Sequence, residues 1–507
     1  MKTSFIFKTS PRLLIVTPEV TSLPEGSGIL ASYLSAKAGG LADVSAMLIK
    51  ELFNMGVDIH IAIPDYRRIY TKRQNIIKKL YNEQLQVYME NLCEQRIHLA
   101  RDRAFYYKKG IYSLYEYDNL KVSLVFQREV INNIILRVKP DLVHCNDWMT
   151  GLIPAYLRKM KIPVLFTIHN IHTLLTTVEE IENNGIDAAE FWENLYFERM
   201  PVNYEESRNN NRVDLLTTGI FASHFINTVS QTFLKEIVEG HHDIIRHTVR
   251  QEIKNKYYAG CAVGILNAPD ESFNPSTDKA IVRNYTARDF VSGKRENKIW
   301  LQKRLGLIVD ENAPLFFWPS RLDPVQKGCQ LLADILYEVV SKYWDDNLEI
   351  VFVADGSFFD VFKNIVNFHG FHNRVAVCNF DEDLARLAFA ASDFILMPSS
   401  FEPCGLPQMI AQKYGSLPVV HDTGGLHDTV EHLDPYNNIG NGFVFKYFDS
   451  QGLFWAIDEA MRFYKMPKNI KTSNIRRIMM QAKERFNHKE CAKKYIELYE
   501  KMLQRPL

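Results

Sequence analysis

Short, wholly apolar runs alternate along this chain with stretches in which apolar residues recur every three or four positions, and the alternation comes in two separate series. This feature restricts the fold more than any other, because such short runs read as strands and the periodic stretches between them as helices. The first series opens with LLIV at Leu13 and continues with a helix over 40–55, carrying Leu41, Val44, Leu48 and Leu52. Strands follow over 57–64, 142–145, 164–168 and 225–229, with a helix over about 151–159. The second series opens near Pro314, with strands over 315–318, 348–353, 375–378, 394–397 and 417–420 and helices over 328–343, 383–391 and 406–414. Strands separated by helices pair in parallel and are covered by those helices. The expected fold class is therefore α/β, with two Rossmann-like domains.

Length agrees with the doubling, since 507 residues exceed what a single core usually supports. The pattern divides the chain into a first domain over 1–266, a linker over 267–312, a second domain over 313–485 and a packing helix over 486–507. The linker is polar, lacks apolar periodicity and carries Asn-Pro and Asn-Ala-Pro turn signals. Residues 71–138 and 176–212 read as insertions on the first domain, and Tyr495, Leu498, Tyr499 and Met502 fall at helical spacing near the C-terminus. Equal numbers of basic and acidic side chains, 60 of each, suggest neither a nucleic-acid partner nor an anionic membrane. The 7 cysteines contain no C-x-x-C pair, so neither a disulfide framework nor a zinc site is indicated. No apolar run has signal-peptide or transmembrane length, and the expectation is a cytoplasmic protein. Nothing in the pattern sets an oligomeric state.

Candidate chemistry gathers where strands give way to helices, which in parallel sheets is where sites are built. Lys37, Gly39 and Gly40 precede the first long helix, where glycine amides and the helix N-terminus favour an anion; a solvated lysine beside an ordinary helix start is the plainer alternative. Arg321 and Lys327 flank the loop after strand 315–318 and suit a diphosphate, unless they are surface cations, one of them bridging to Asp323. Glu402 and the amides of Gly405 and Leu406 follow strand 394–397; a buried carboxylate there needs donors, and sugar hydroxyls qualify. Its alternative is an acid at a helix start. Cys404 reads as a small buried side chain, and Thr423, Gly424 and Gly425 as a second glycine cradle or a tight turn. Asp147 and His169 end two strands of the first domain, and Asn267 opens the linker; each could equally cap a loop. Asp381 and Asp383 match the D-x-D spacing of metal-dependent transferases but precede a helix, where they read as capping residues, so no metal is expected.

The order of these motifs resembles that of bacterial glycogen synthases and plant starch synthases. The chain has KAGGLADV at Lys37, HCNDW at His144, TIHN at Thr167, NAPDESFNP at Asn267, SRLDPVQKG at Ser320 and FEPCGLPQMIAQKYGSLPVVHDTGGLHDTV at Phe401, spanning about residues 13–460. The resemblance implies the GT-B architecture, two Rossmann-like domains facing across a cleft, and transfer of glucose from ADP-glucose, or else UDP-glucose, to an α-1,4-glucan with no cofactor. It implies that Lys37 and Gly39 meet donor phosphates, that Arg321 and Lys327 stabilise the leaving diphosphate, and that Glu402, with amides near Gly405, holds glucose hydroxyls. Asp147, His169 and Asn267 would shape the glucose and acceptor site, and Phe380 would lie by the nucleobase. The chain departs from the family pattern in an insertion over 23–35, in Ala38 for the usual Thr, in one extra residue between Arg321 and Lys327, and in Ala268 for a Gly. A glycoside hydrolase would need two carboxylates where the motifs supply Glu402 alone. The alternative of another class is a non-catalytic sugar-nucleotide or glucan-binding regulator on the same fold.

Overall fold

The computed structural model of the chain describes residues 10–28, 31–70, 96–243 and 245–507. Its residues divide into two units, each closed around its own parallel sheet: the first takes the chain up to Val229 with Leu234–Ile265 and Cys491–Leu507, the second Ser230–Phe233 and Leu266–Glu490. Among the described residues no helix is long and apolar enough to cross a membrane.

In the first unit β1 (Arg12–Val16), β2 (Asp58–Pro64), β3 (Ile97–Ala100), β4 (Leu142–Asn146) and β5 (Val164–Ile168) belong to one sheet. A separate antiparallel pair, β6 (Leu175–Thr177) and β7 (Arg212–Asp214), brackets the stretch 176–212 read as an insertion. With β8 (Phe225–Thr228) and β9 (Ala262–Gly264) the main sheet has seven strands in the order β3-β2-β1-β4-β5-β8-β9. The order reverses between β1 and β4, and the helix Gly40–Asn54 makes the first crossover.

The second sheet has six strands: β10 (Leu315–Trp318), β11 (Glu349–Val353), β12 (Val375–Cys378), β13 (Phe394–Met397), β14 (Leu417–His421) and β15 (Phe443–Phe445), in the order β12-β11-β10-β13-β14-β15. Every pairing is parallel. Successive side chains of a strand point to opposite faces, and β10 shows what that demands: Phe316 and Trp318 enter one apolar core, Leu315 and Phe317 the other. A strand covered on both sides must be apolar throughout, which is why it was legible as an unbroken run. The Trp318 indole N–H, which could not be buried alone, donates to the Ser320 carbonyl at 2.8 Å.

Two expectations need correction. The segment 267–312 is not a structureless linker: it holds the helix Phe290–Leu305, part of the second unit. That helix buries Lys294, Asn297, Lys298 and Gln302, so its inward face is polar and shows no apolar period. Lys294 Nζ donates to the carbonyls of Ala390 and Tyr414 at 3.2 and 3.0 Å, and Lys298 Nζ to Asp393 at 2.6 Å. Residues 71–138 are not wholly an insertion, because β3 pairs with β2 in the main sheet; residues 71–95 lie outside the described part. The stretch 486–507, read as a packing helix, holds the helix His488–Leu503, and the helix Lys468–Arg485 precedes it. From Cys491 the chain belongs to the first unit, where the buried hydroxyls of Tyr499 and Tyr495 reach His144 Nδ1 at 2.8 Å and the Asn227 side chain at 3.0 Å.

Candidate active site

Parallel sheets build their sites where the strand order reverses, because two crossover connections diverge there and leave the strand ends open. In the first unit that point is the C-terminal ends of β1 and β4. Asp147, directly after β4, is buried and adopts φ 57°, ψ 178°. Positive φ in a residue with a side chain is strained by about 1–3 kcal/mol and is tolerated where neighbours fix it. Here the neighbours are evident: Asp147 Oδ1 accepts the His169 amide at 2.7 Å, and Oδ2 accepts the Asn170 side-chain amide at 2.9 Å. Burial pushes the Asp147 carboxyl up to about 7, against the lowering pull of these donors.

His169, after β5, is joined to the same group. Asn146 donates its amide N–H to the Val16 carbonyl, which leaves its oxygen 2.9 Å from His169 Nε2. That nitrogen therefore carries the proton and Nδ1 is the acceptor. Burial holds the ring neutral, its pKa lowered to about 3.

The loop after β1 departs from the simplest picture of an anion cradle. Lys37 is exposed and pairs with Asp43 at 2.8 Å. The amides of Ala38 and Gly39 both point at Glu19 Oε2, at 2.6 and 3.1 Å. Sequence reasoning missed Glu19, since nothing near it in the chain announces a partner. Gly39 is the N-cap of the helix Gly40–Asn54 and makes no side-chain cap. A Cβ added at Gly39 or Gly40 would meet nothing within 4 Å among the described residues.

In the second unit the order reverses between β10 and β13, and the loops after these strands meet. Lys327 Nζ lies 2.6 Å from Glu402 Oε2, with both side chains about nine-tenths buried. Ser399 Oγ donates to the same oxygen at 3.2 Å. Arg321, six residues before Lys327 in the same loop, is exposed and is in no ion pair among the described residues. The Gly425 amide donates to the Glu402 carbonyl at 2.8 Å. A Cβ at Gly425 would stand 1.9 Å from the Cys404 carbonyl oxygen, and one at Gly424 2.1 Å from that of Glu402. Thr423 is the N-cap of the helix Gly424–Thr429, and the glycines that follow it let this helix start touch the loop after β13. Cys404 and Thr423 are buried, while Gly405 and Leu406 lead into the helix Pro407–Lys413. Asn267 is buried, and its Oδ1 has no hydrogen-bond partner among the described residues. Phe380 is 58% exposed, its amide held by Asp355 at 3.0 Å. Asp381 accepts the Leu384 amide at 2.7 Å, the cap expected of it.

Two pieces of established families fit this chain in succession: the starch synthase catalytic domain over residues 12–247 and glycosyl transferases group 1 over residues 303–477. Over nearly the whole length it is 34% identical to a glycogen synthase of Clostridium botulinum (strain Eklund 17B), across 490 residues, 92% of this chain and 96% of that one. The chain belongs to the glycogen synthase family. Glycogen synthases of Acholeplasma laidlawii and Thermotoga maritima are 32% and 33% identical, each over 92% of this chain and 96% of theirs. Among solved structures, the catalytic domain of starch synthase IV from Arabidopsis thaliana, bound to ADP and acarbose, superposes with a TM-score of 0.76 at 24% identity, covering 98% of this chain and all of that one. As a member of the glycogen synthase family the chain is a glucosyltransferase of GT-B architecture. The expected residues thus form two constellations: Asp147 with His169 in the first unit, and Lys327 with Glu402 and the loop of Gly424 and Gly425 in the second.

Proposed function

We propose that this chain transfers glucose from a nucleotide sugar, ADP-glucose in preference to UDP-glucose, to the non-reducing end of an α-1,4-glucan, with retention of configuration and without a cofactor. The observation that carries the reading is the buried Lys327–Glu402 pair at the β10/β13 reversal. Burying two charges costs several kcal/mol even when they are paired. A site that must grip an anionic leaving group with a cation and sugar hydroxyls with a carboxylate has a use for both. Arg321, six residues before Lys327 and in no ion pair among the described residues, is suited to the second phosphate. The starch synthase of matching fold was solved bound to ADP and acarbose, and its ADP supports an adenine-nucleotide donor here.

In this mechanism Lys327 and Arg321 offset charge on the departing diphosphate, and Lys37 with the loop at Gly39 and Gly40 meets donor phosphate from the first unit. Glu402, with the amides near Gly405 and Leu406, holds glucose hydroxyls. Asp147, His169 and Asn267 position glucose and acceptor, and the exposed Phe380 ring carries the nucleobase. The acceptor hydroxyl attacks on the face the phosphate leaves, and the departing phosphate takes its proton, so no covalent glycosyl-enzyme forms. Fixed charges aimed at developing charge are the largest catalytic effect available here. The test is incubation with glycogen and radiolabelled ADP-glucose or UDP-glucose, followed by NMR of the new linkage. Label in α-1,4 linkage, faster from ADP-glucose, is the expected result; binding of both substrates without incorporation would overturn it.

A further inference from the structure

Glu19 is a buried carboxylate at the C-terminal end of β1, 3% exposed, and the transfer mechanism above gives it no task. Its Oε2 accepts the Ala38 and Gly39 amides at 2.6 and 3.1 Å, and its Oε1 accepts the Tyr112 hydroxyl at 3.3 Å. The surrounding loop is closed on itself by reciprocal amide-to-carbonyl bonds between Val20 and Ala36, at 2.9 and 2.8 Å. Burial pushes the Glu19 carboxyl up, and the two amides and Tyr112 pull it back. An acid in so dry a place is retained only where charge-assisted donors compensate it.

The helix Gly40–Asn54 has no side-chain cap at Gly39, and Glu19 accepts the amide of that N-cap residue from outside the helix, as the acid of a capping box does from within. No packing within the described residues calls for glycine at 39 or 40, because an added Cβ would meet nothing within 4 Å at either. Space of that kind beside a helix N-terminus is what close approach by an anionic ligand requires.

We propose that Glu19 is a positioning residue for the donor: it fixes the Ala38–Gly39 peptide so that the helix start at Gly40 and the Lys37 side chain are presented to the diphosphate in one arrangement. This rests on reading the Lys37 loop as the donor-phosphate loop. Without Glu19 the two amides lose their acceptor, the loop samples several arrangements, and donor binding is weakened while glucan binding is not.

The full-length chain with Glu19→Ala and Glu19→Gln tests this. KM for nucleotide sugar and for glycogen, and Kd for ADP and UDP by calorimetry, are measured beside the thermal midpoint. Glu19→Ala is expected to raise donor KM and nucleotide Kd about tenfold or more, with the glycogen KM within about twofold. Glu19→Gln, which keeps an acceptor oxygen for the amides, is expected to restore both to within about threefold of the parent. Unchanged or tighter nucleotide binding in Glu19→Ala overturns the proposal, as does a tenfold loss in a folded Glu19→Gln. Should Glu19→Ala not fold, Glu19→Gln alone decides. A parent chain that binds neither nucleotide nor transfers glucose overturns the transferase reading itself, a result distinct from failure of the variants.

Discussion

In the first unit a side chain added at Gly39 or Gly40 would enter open space, whereas in the second unit one added at Gly424 or Gly425 would run into a carbonyl oxygen. The cations of the two units differ in the same sense. Lys37 is 54% exposed beside a half-wet Asp43, and Lys327 is 11% exposed against Glu402 at 2.6 Å. The second unit therefore sets its geometry by its own packing. The first holds its loop by Glu19 together with the Val20–Ala36 backbone bonds, and among the described residues leaves room beside Gly39 and Gly40. Similar glycine-rich sequences thus serve two ends: one lets backbone touch backbone, the other keeps backbone accessible.

The comparison breaks most readily at the two lysines. Lys327→Ala should lower kcat by on the order of 10² or more. Leaving Glu402 buried without its partner should also cost about 3–5 kcal/mol of stability. Lys37→Ala should leave stability within about 0.5 kcal/mol and act mainly on donor KM. Steady-state kinetics with thermal melts check all three, and equal effects on stability would erase the distinction. The glycines offer a second test. Gly425→Ala should destabilise by about 1–3 kcal/mol through overpacking, while Gly39→Ala should not move the melting midpoint.

Asp147 sharpens the picture by its pH dependence. In an unfolded chain a carboxyl is ionised above about pH 4, and in the folded first unit this one keeps its proton to about 7. Between those values the folded state binds more protons, so stability falls as pH rises through the window and levels off above it. Asp147→Asn should flatten that fall, by on the order of 1 kcal/mol or more, in melts recorded from pH 4 to 8. The smallest effect on turnover is expected at Asp381, which caps the helix Glu382–Ala391. Asp381→Ala should cost about 1 kcal/mol and leave kcat unchanged with or without added divalent ions. A loss of turnover that Mn²⁺ restores would revive the metal reading of the D-x-D spacing.

What could be read from the sequence follows a physical line. Strands such as β10 and β13 are covered on both faces, so their residues are apolar in sequence and the run gives them away. The helix Phe290–Leu305 was invisible to the same method because it buries lysines and amides, which find their partners in carbonyls far along the chain. Lys327 and Glu402 were each legible as residues after a strand end, but their pairing depends on the sheet order that lays β13 beside β10. Glu19 had no such signal: its partners, the amides of Ala38 and Gly39, are backbone, and backbone leaves no mark in a sequence. His144 was legible as part of a motif, but its bond to Tyr499 depends on where the final helix lands.

That final helix has a consequence for how the molecule comes into being. The Tyr495 and Tyr499 hydroxyls satisfy polar groups inside the first unit, yet they are synthesised only after the whole second unit has been made. On a ribosome the first sheet waits with its Thr167 bonds to His144 and Asn227 in place, and the bonds to Tyr499 and Tyr495 come last.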